Sequence, residues 1–381
     1  MKKKYVYVKK RYIFLFTLLD AAGYFISGIF KAIFSITGDL PGRGKNIAVI
    51  ELAHMGDVLA ITPAIRLLKK KFPASRIICV VSPWNKDIIS GNPDIDEIIV
   101  YRASWFDRIG KKPFSLKETA VFIGQLRQKK IDLGIDMRGD VRVIFLMWVA
   151  GIKYRVGYAF TGGGFLLNKA VPFEVDKRQD RHQIDHNIRL INAINFTIQE
   201  DGISRKMAVF FSDIDKSNIE RYLETNSIGQ EDFLIAIHPG TGLAVKCWPV
   251  EKFKMLIEQI LQRYKVKIVL VGGPSEVNYA CELDCEGVVN AIGHTGIKQL
   301  MALLKRSNLF VGGDSGLMHI ASAVGTPIAA IWSGQSRPSL WAPLSGENII
   351  IDKPLADISV KDAMDAVSKQ ISKISRLKSQ A

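Results

Sequence analysis

The stretch Leu309-Phe310-Val311-Gly312-Gly313-Asp314-Ser315-Gly316-Leu317-Met318-His319-Ile320-Ala321 reads as a buried strand, a tight glycine turn and the opening of a helix. Val311 is apolar and β-branched. Gly312 and Gly313 permit a positive φ and a close approach of ligand to backbone. Asp314 and Ser315 are N-cap residue types, and Leu317, Ile320 and Ala321 begin an apolar helical face. The free N–H groups and positive dipole end of such a helix suit a phosphate or diphosphate. His319 lies one turn beyond Ser315, on the same side of the helix. A Gly-Gly turn before a capped helix is also ordinary punctuation between strand and helix, so this stretch alone does not decide a ligand.

The same strand–turn–helix grammar recurs outward from it. Asn46–Ile50 is a buried strand, Glu51–Asp57 a turn, and a helix begins at Val58 with Pro63 in its first two turns. Strands are predicted at Arg76–Val81, Ile98–Tyr101 and Ile131–Asp136, with a helix over 115–130. Residues 160–212 carry a weaker pattern, with Thr161-Gly162-Gly163-Gly164 expected as a mobile loop. A helix over 213–227 leads to strand Phe233–Ile237 and the loop His238-Pro239-Gly240-Thr241-Gly242. Helix 250–264, strand Lys267–Val271, helix 297–305, strand Pro327–Ile331 and a last helix over 359–376 follow. Alternation of this kind predicts an α/β protein with two doubly wound, Rossmann-like domains. Ligands of such sheets bind beyond the strand C-ends, where Asp57 and the Asp136-Met137-Arg138-Gly139-Asp140 turn fall. The expected division is a 1–40 membrane-interface segment, a 41–212 domain, a 213–230 linker, a 231–353 domain and a 354–381 helix.

The chain has 381 residues and a formal net charge of +15, and 48% of it is hydrophobic, enough for more than one core. Residues 1–45 hold nine Lys/Arg against Asp20 and Asp39, so +7 resides there and +8 over the rest. That is a basic anchor on a mildly basic body. No zinc-finger spacing or aromatic RNA-binding signature supports a nucleic-acid partner. Of the four cysteines, Cys79 sits in a strand-like apolar run, and Cys281 and Cys285 lack the Cys/His partners of a zinc site. A reducing compartment and no structural metal are expected.

Residues 12–36 are apolar enough to invite a transmembrane reading, but Thr17, Asp20, Tyr24, Ser27, Lys31 and Ser35 form one stripe of a 3.6-residue helix. Asp20 would fall near mid-bilayer, where a charge costs about 2.5–3.5 kcal/mol on insertion scales. An amphipathic helix lying in the membrane interface behind a Lys/Arg-rich start fits better than a span, or than a helix packed on the protein itself.

Several side chains are placed for chemistry. Asp57 suits a general base as well as an ordinary first-turn helix acid. Lys246, in a loop after a strand, is either a surface lysine or a point charge for a departing diphosphate. Trp248 is a site wall or a core residue. Glu276, after Gly272-Gly273-Pro274-Ser275, is a ribose ligand or an acid favoured by a helix dipole. The strings Asp94-Ile95-Asp96 and Asp213-Ile214-Asp215 do not follow strands as a metal–diphosphate site requires, and Asp213 is expected to cap a helix.

Four motifs taken together resemble glycosyltransferase family 9, the ADP-heptose:lipopolysaccharide heptosyltransferases. They are Met55-Gly56-Asp57-Val58-Leu59 with Thr62-Pro63-Ala64, His238-Pro239-Gly240 leading to Lys246-x-Trp248-Pro249, Gly272-Gly273-Pro274-x-Glu276, and Gly313-Asp314-Ser315-Gly316-Leu317-x-His319-Ile320-Ala321. The resemblance spans residues 46–352. It implies a GT-B fold, two such domains facing across a cleft, and inverting transfer of heptose from ADP-heptose to a lipid A–linked core sugar. By motif position Asp57 resembles the catalytic base and Lys246 the diphosphate contact. Glu276 resembles the ribose ligand, and Asp314, Ser315, Gly316 and His319 the donor turn, with Thr241 near phosphate. Arg138 and Arg142 match an acceptor-facing region. The implied partners are a nucleotide sugar, the lipid A–core acceptor and the cytoplasmic face of the inner membrane, with no permanently bound cofactor. Another nucleotide-sugar donor, or a non-catalytic nucleotide-sugar-binding protein of the same fold, is the alternative.

Overall fold

Two runs of parallel strands, each nearly continuous in Val, Ile, Leu and Ala, organise the chain, as expected of strands covered on both faces. The computed structural model describes residues 14, 17–26, 45–107, 112–172, 181–194, 204–344 and 348–380. The chain divides into two units, Met1–Lys86 with Asn92–Arg205, and Asp87–Gly91 with Lys206–Ala381. The short excursion Asp87–Gly91 is held in the second unit by Lys298, whose Nζ donates to the Ser90 and Phe210 carbonyls at 2.9 and 3.2 Å.

The first unit is built on strands β1 (Asn46–Glu51), β2 (Arg76–Val81), β3 (Glu97–Val100), β4 (Leu133–Asp136), β5 (Tyr154–Tyr158) and β6 (Lys169–Val171). All pairs are parallel, in the order β3-β2-β1-β4-β5-β6. One face carries helices α1 (Met55–Lys71) and, later in the chain, α4 (Gln183–Asn192); the other carries α2 (Leu116–Gln128) and α3 (Val141–Val149). Cys79 is fully buried, as expected for a core thiol. The second unit repeats the plan with β7 (Leu234–His238), β8 (Lys267–Leu270), β9 (Val288–Asn290), β10 (Leu309–Gly313), β11 (Ile328–Trp332) and β12 (Asn348–Asp352). Its order is β12-β11-β10-β7-β8-β9, the same topology read from the other edge. Helices α5 (Asp213–Thr225), α6 (Val250–Arg263), α7 (Ile297–Arg306), α8 (Gly316–Val324) and α9 (Val360–Gln380) surround it. Met364, Val367 and Ile371 of α9 enter the core with Phe253 and Ile257, and Gln370 Nε2 donates to the Ile328 carbonyl at 2.8 Å.

Several local expectations are corrected. α1 begins at Met55, so Pro63 lies in its third turn. The Leu59 carbonyl, deprived of the residue-63 N–H, accepts instead from Thr62 Oγ1 at 2.8 Å. Ser212, not Asp213, caps α5, and Asp215 closes a capping box with it. Asp96 is consumed by the Ile77 amide and Lys69. Gly312 and Gly313 do not adopt positive φ. They are small because a Cβ on either would come within 3.0 Å of the His238 carbonyl or 3.1 Å of Thr241 Cγ2. The Thr161–Gly164 loop is tied down: Thr161 Oγ1 accepts from Val141 N at 2.7 Å and donates to the Gly139 carbonyl at 3.2 Å.

Residues 17–26 are helical, and among the described residues no helix is long and apolar enough to cross a membrane. Ser27, Lys31, Ser35, residues 1–13 and most of the expected Pro41–Lys45 linker lie outside the described residues.

Gly139 sits at φ +74°, where a Cβ would meet the Tyr158 carbonyl at 2.9 Å and the Phe160 ring at 2.6 Å. Gly139→Ala should therefore lower unfolding stability by about 1–3 kcal/mol, read from urea midpoints.

Candidate active site

In a sheet of this order the two central strands send their crossovers to opposite sides, and a crevice opens beyond their C-ends. In the first unit those strands are β1 and β4. Asp57 stands in the first turn of α1, after β1, and Arg138 follows β4. The structure joins them: Arg138 Nη1 donates to Asp57 Oδ1 at 2.8 Å, and the other Asp57 oxygen accepts from His54 N at 3.1 Å. Asp57 keeps a minority of its side chain, 14%, in solvent. Arg142 lies beside this pair in sequence but is engaged with Asp140, its Nε on Oδ1 at 2.8 Å and its Nη2 on the second oxygen. Phe106 packs on both guanidiniums and Trp105 on that of Arg142, with Arg142 Cζ 4.7 Å from the Trp105 ring centre and Arg138 Cζ 5.2 Å from that of Phe106.

Beneath them lie two carboxyl groups to which the sequence reading gave no role of their own, Glu51 and Asp136, at the last positions of β1 and β4. Both are almost fully buried. Glu51 Oε1 accepts from Ala53 N at 2.9 Å. Asp136 accepts from the Arg138 and Asp140 amides at 3.1 and 2.9 Å, which shapes the turn that presents Arg138. Burial, reinforced by the Asp57 charge, pushes the Glu51 carboxyl up to about 8. Burial and the neighbouring Asp140 charge hold Asp136 well above the usual carboxylate range. The signal available in the sequence was an acid closing an otherwise apolar strand, which reads equally well as the first polar residue of a loop.

In the second unit the central strands are β7 and β10. His238 ends β7 and is buried. Its Nδ1 lies 3.1 Å from Ser315 Oγ, and its Nε2 lies 3.1 and 3.2 Å from the two Glu276 oxygens. Glu276 also accepts from Gly273 N at 2.7 Å. A Cβ on Gly240 would stand 2.1 Å from Glu276 Oε1, so the glycine makes room for this carboxylate. Burial acts to raise Glu276, but the His238 hydrogen bond and charge and the Gly273 amide outweigh it and hold the group below its ordinary value. Ser315 caps α8, its Oγ accepting from Met318 N, and Gly316 is the first helical residue.

Lys246 Nζ pairs with Asp314, which also accepts from Ser336 Oγ. The Thr241 hydroxyl donates to the Leu243 carbonyl at 2.6 Å, holding the loop that carries Lys246. His319 lies buried in α8, its ring edge-on to Trp341 at 5.8 Å. Trp248 is core, with Nε1 donating to the Ile358 carbonyl at 3.1 Å. Sequence reasoning missed His238 as the hub linking Ser315 to Glu276, although a histidine ending an apolar strand before Pro-Gly was visible. Among the described residues no three His, Cys, Asp or Glu side chains converge to hold a metal ion.

This layout coincides with a known family at the level of sequence. Residues 120–366 match the family described as glycosyltransferase family 9 (heptosyltransferase), which is more than half of the chain. The chain belongs to glycosyltransferase family 9. It is a glycosyltransferase with the GT-B fold. Its curated relatives include lipopolysaccharide heptosyltransferase 3 of Escherichia coli K12, 27% identical over 313 residues, which are 78% of this chain and 85% of that one. Two solved structures share the fold. A family 9 glycosyltransferase from Veillonella parvula aligns with a TM-score of 0.75 at 22% identity, over 88% of this chain and 100% of that one. The Escherichia coli ADP-heptose lipopolysaccharide heptosyltransferase II aligns with a TM-score of 0.72 at 22% identity and the same coverage.

The raised Glu51 carboxyl fixes a pH dependence. A carboxyl whose folded value exceeds its unfolded value of 4.5 favours folding while protonated. Its contribution is complete below 4.5 and is lost as pH rises toward 8, with a slope of up to roughly 1.4 kcal/mol per unit. Glu51→Gln should remove that slope, so urea midpoints of wild type and variant should converge at pH 5 and separate, variant higher, by pH 8. Parallel curves would mean that Glu51 is ionised in the folded protein.

Proposed function

We propose that this protein transfers a heptose, with inversion at the anomeric carbon, from ADP-heptose to a lipid A–linked core sugar of lipopolysaccharide at the cytoplasmic face of the inner membrane. The observation that carries the reading is the engaged Asp57–Arg138 pair at the switch point of the first sheet. The printed names of the relatives, lipopolysaccharide heptosyltransferases, support the sugar and the acceptor class. A neighbouring structure solved with ADP supports the nucleotide.

In this reading Asp57 accepts the proton of the attacking acceptor hydroxyl. Each carboxylate oxygen has two lone pairs, so the contacts to Arg138 and His54 N leave acceptor capacity on both. Arg138 fixes the carboxylate, and its positive charge, with that of Arg142 from the next turn, attracts an acidic substituent of the acceptor. Oxygen attacks the anomeric carbon as the bond to the diphosphate breaks, and the electron pair leaves with ADP. Lys246 and the amides at Ser315 and Gly316 stabilise that growing charge. Thr241 holds the phosphate-side loop, Glu276 takes the ribose hydroxyls, and Asp314 and His319 complete the donor turn. Asp314 holds Lys246 until the diphosphate arrives.

Asp57→Ala should abolish turnover while leaving ADP affinity within about twofold by calorimetry. Lys246→Ala should weaken ADP binding and lower kcat by about 10²–10³-fold, the usual effect of removing one charge-stabilising donor. Equal loss of ADP binding in the Asp57 variant would contradict the base role. Thermal shifts with ADP, UDP and GDP test the donor, and a larger shift with UDP or GDP would reassign it.

A further inference from the structure

The helical run at residues 17–26 shows an arrangement that its sequence pattern does not announce. Of its polar stripe, Asp20 and one side of Tyr24 meet the protein, while Thr17 is exposed. Asp20 is buried, and its Oδ1 accepts from Gly163 N at 2.9 Å. Phe165 lies against Gly23 so closely that a Cβ there would stand 2.5 Å from the ring. Tyr24 packs edge-on to the same ring at 6.1 Å, its hydroxyl over Gly164. The opposite side carries Leu18 and Leu19, 53% and 54% exposed, and Phe25 and Ile26, 72% and 54% exposed, with Phe14 at 75%. Leu18–Phe25 and Leu19–Ile26 repeat at seven residues, so these side chains form one apolar stripe turned away from the protein.

We infer that this stripe is a lipid-inserting surface and that its occupant is an anionic bilayer, with Asp20, Gly23 and Tyr24 fastening it to the first unit. Charge argues for the occupant. The eleven residues that begin the chain contain Lys2, Lys3, Lys4, Lys9, Lys10 and Arg11 and no acid, a composition drawn to anionic headgroups. An exposed aromatic pair nearby argues for it too. The Gly164–Leu166 turn that receives the helix packs on α3, which exposes half of Phe145 and half of Trp148, ring to ring at 5.8 Å. Tryptophan favours the headgroup level of a membrane. The fastening also has a direction. Gly163 follows Thr161 by two residues, and Thr161 holds Gly139 and Val141, which flank Asp140 within the Arg138–Arg142 turn. The helix is therefore a fixed platform beside that turn and not a free tether. The inference deepens the transfer reading by naming the surface at which a lipid-linked acceptor is met.

The test uses the full chain with vesicles and contains neither donor nor acceptor, so its failure leaves the transfer reading standing. Wild type should co-sediment with phosphatidylglycerol–phosphatidylethanolamine vesicles and much less with phosphatidylcholine. Leu18→Asp with Phe25→Asp should cut the partition coefficient at least tenfold, with circular dichroism and thermal melting unchanged. Asp20→Ala should keep vesicle binding but speed hydrogen exchange at residues 162–166 by tenfold or more. Unchanged partition in the double variant overturns the lipid surface. So does its conversion from dimer to monomer in sedimentation velocity, which would make a second copy the occupant. Unchanged exchange in Asp20→Ala overturns the fastening.

Discussion

A parallel sheet whose order runs outward in both directions from its two central strands must leave a gap where the crossovers part. Among the described residues, most of the candidate site residues stand at or beside such a gap. In the first unit β1 and β4 end in carboxyl groups, and the turns that follow deliver Asp57 and Arg138 to each other. In the second unit β7 ends in His238, and the turn after β10 delivers Asp314 and Ser315. Both faces of each sheet are covered, and the apolar runs end at polar or glycine positions, Glu51, Asp136, His238 and Gly313, so the turns that follow begin at defined places.

Within each gap the charged groups are already engaged with one another. Asp57 holds Arg138, Asp140 holds Arg142, Asp314 holds Lys246 and Glu276 holds His238. An anionic ligand entering either place would exchange one partner for another and would not meet a bare cation. Such pairing also holds long, flexible side chains in place. The glycines serve the same end. Gly240, Gly312 and Gly313 are small because protein atoms crowd them, and the sequence could not distinguish that from room left for a ligand.

The architecture was legible because period and punctuation agreed. The runs around Val49, Cys79, Ile237 and Val311 are apolar, short and followed by Gly, Pro or capping residues, and each is a central or near-central strand. Residues 160–212 were less legible for identifiable reasons. β6 is three residues long and exposes two of them. α4 buries His186 and Asn187, the latter donating to the Ala60 carbonyl at 2.9 Å, so polar side chains carry part of its docking. At the candidate site, Asp57, Lys246, Glu276 and Ser315 were visible as candidates because they stand in motifs. Glu51 and Asp136, and the link from His238 to Ser315 and Glu276, were not, because burial and contact rather than residue type make them notable. The orientation of the helix at 17–26 was hidden because a polar stripe reads alike whether it meets water or a buried amide.

The buried Glu51 carboxyl reaches beyond its own surroundings. A formal charge of +15 assigns every carboxyl a negative charge at pH 7. With Glu51 titrating near 8, the folded chain is more positive by almost one charge than the same chain unfolded, and Asp136 moves it in the same direction. The difference exists around pH 7 and fades above pH 8, so it is gone at the isoelectric point near 9.5, where Glu51 is ionised in both forms. An already basic protein thus gains part of its cationic character from folding itself.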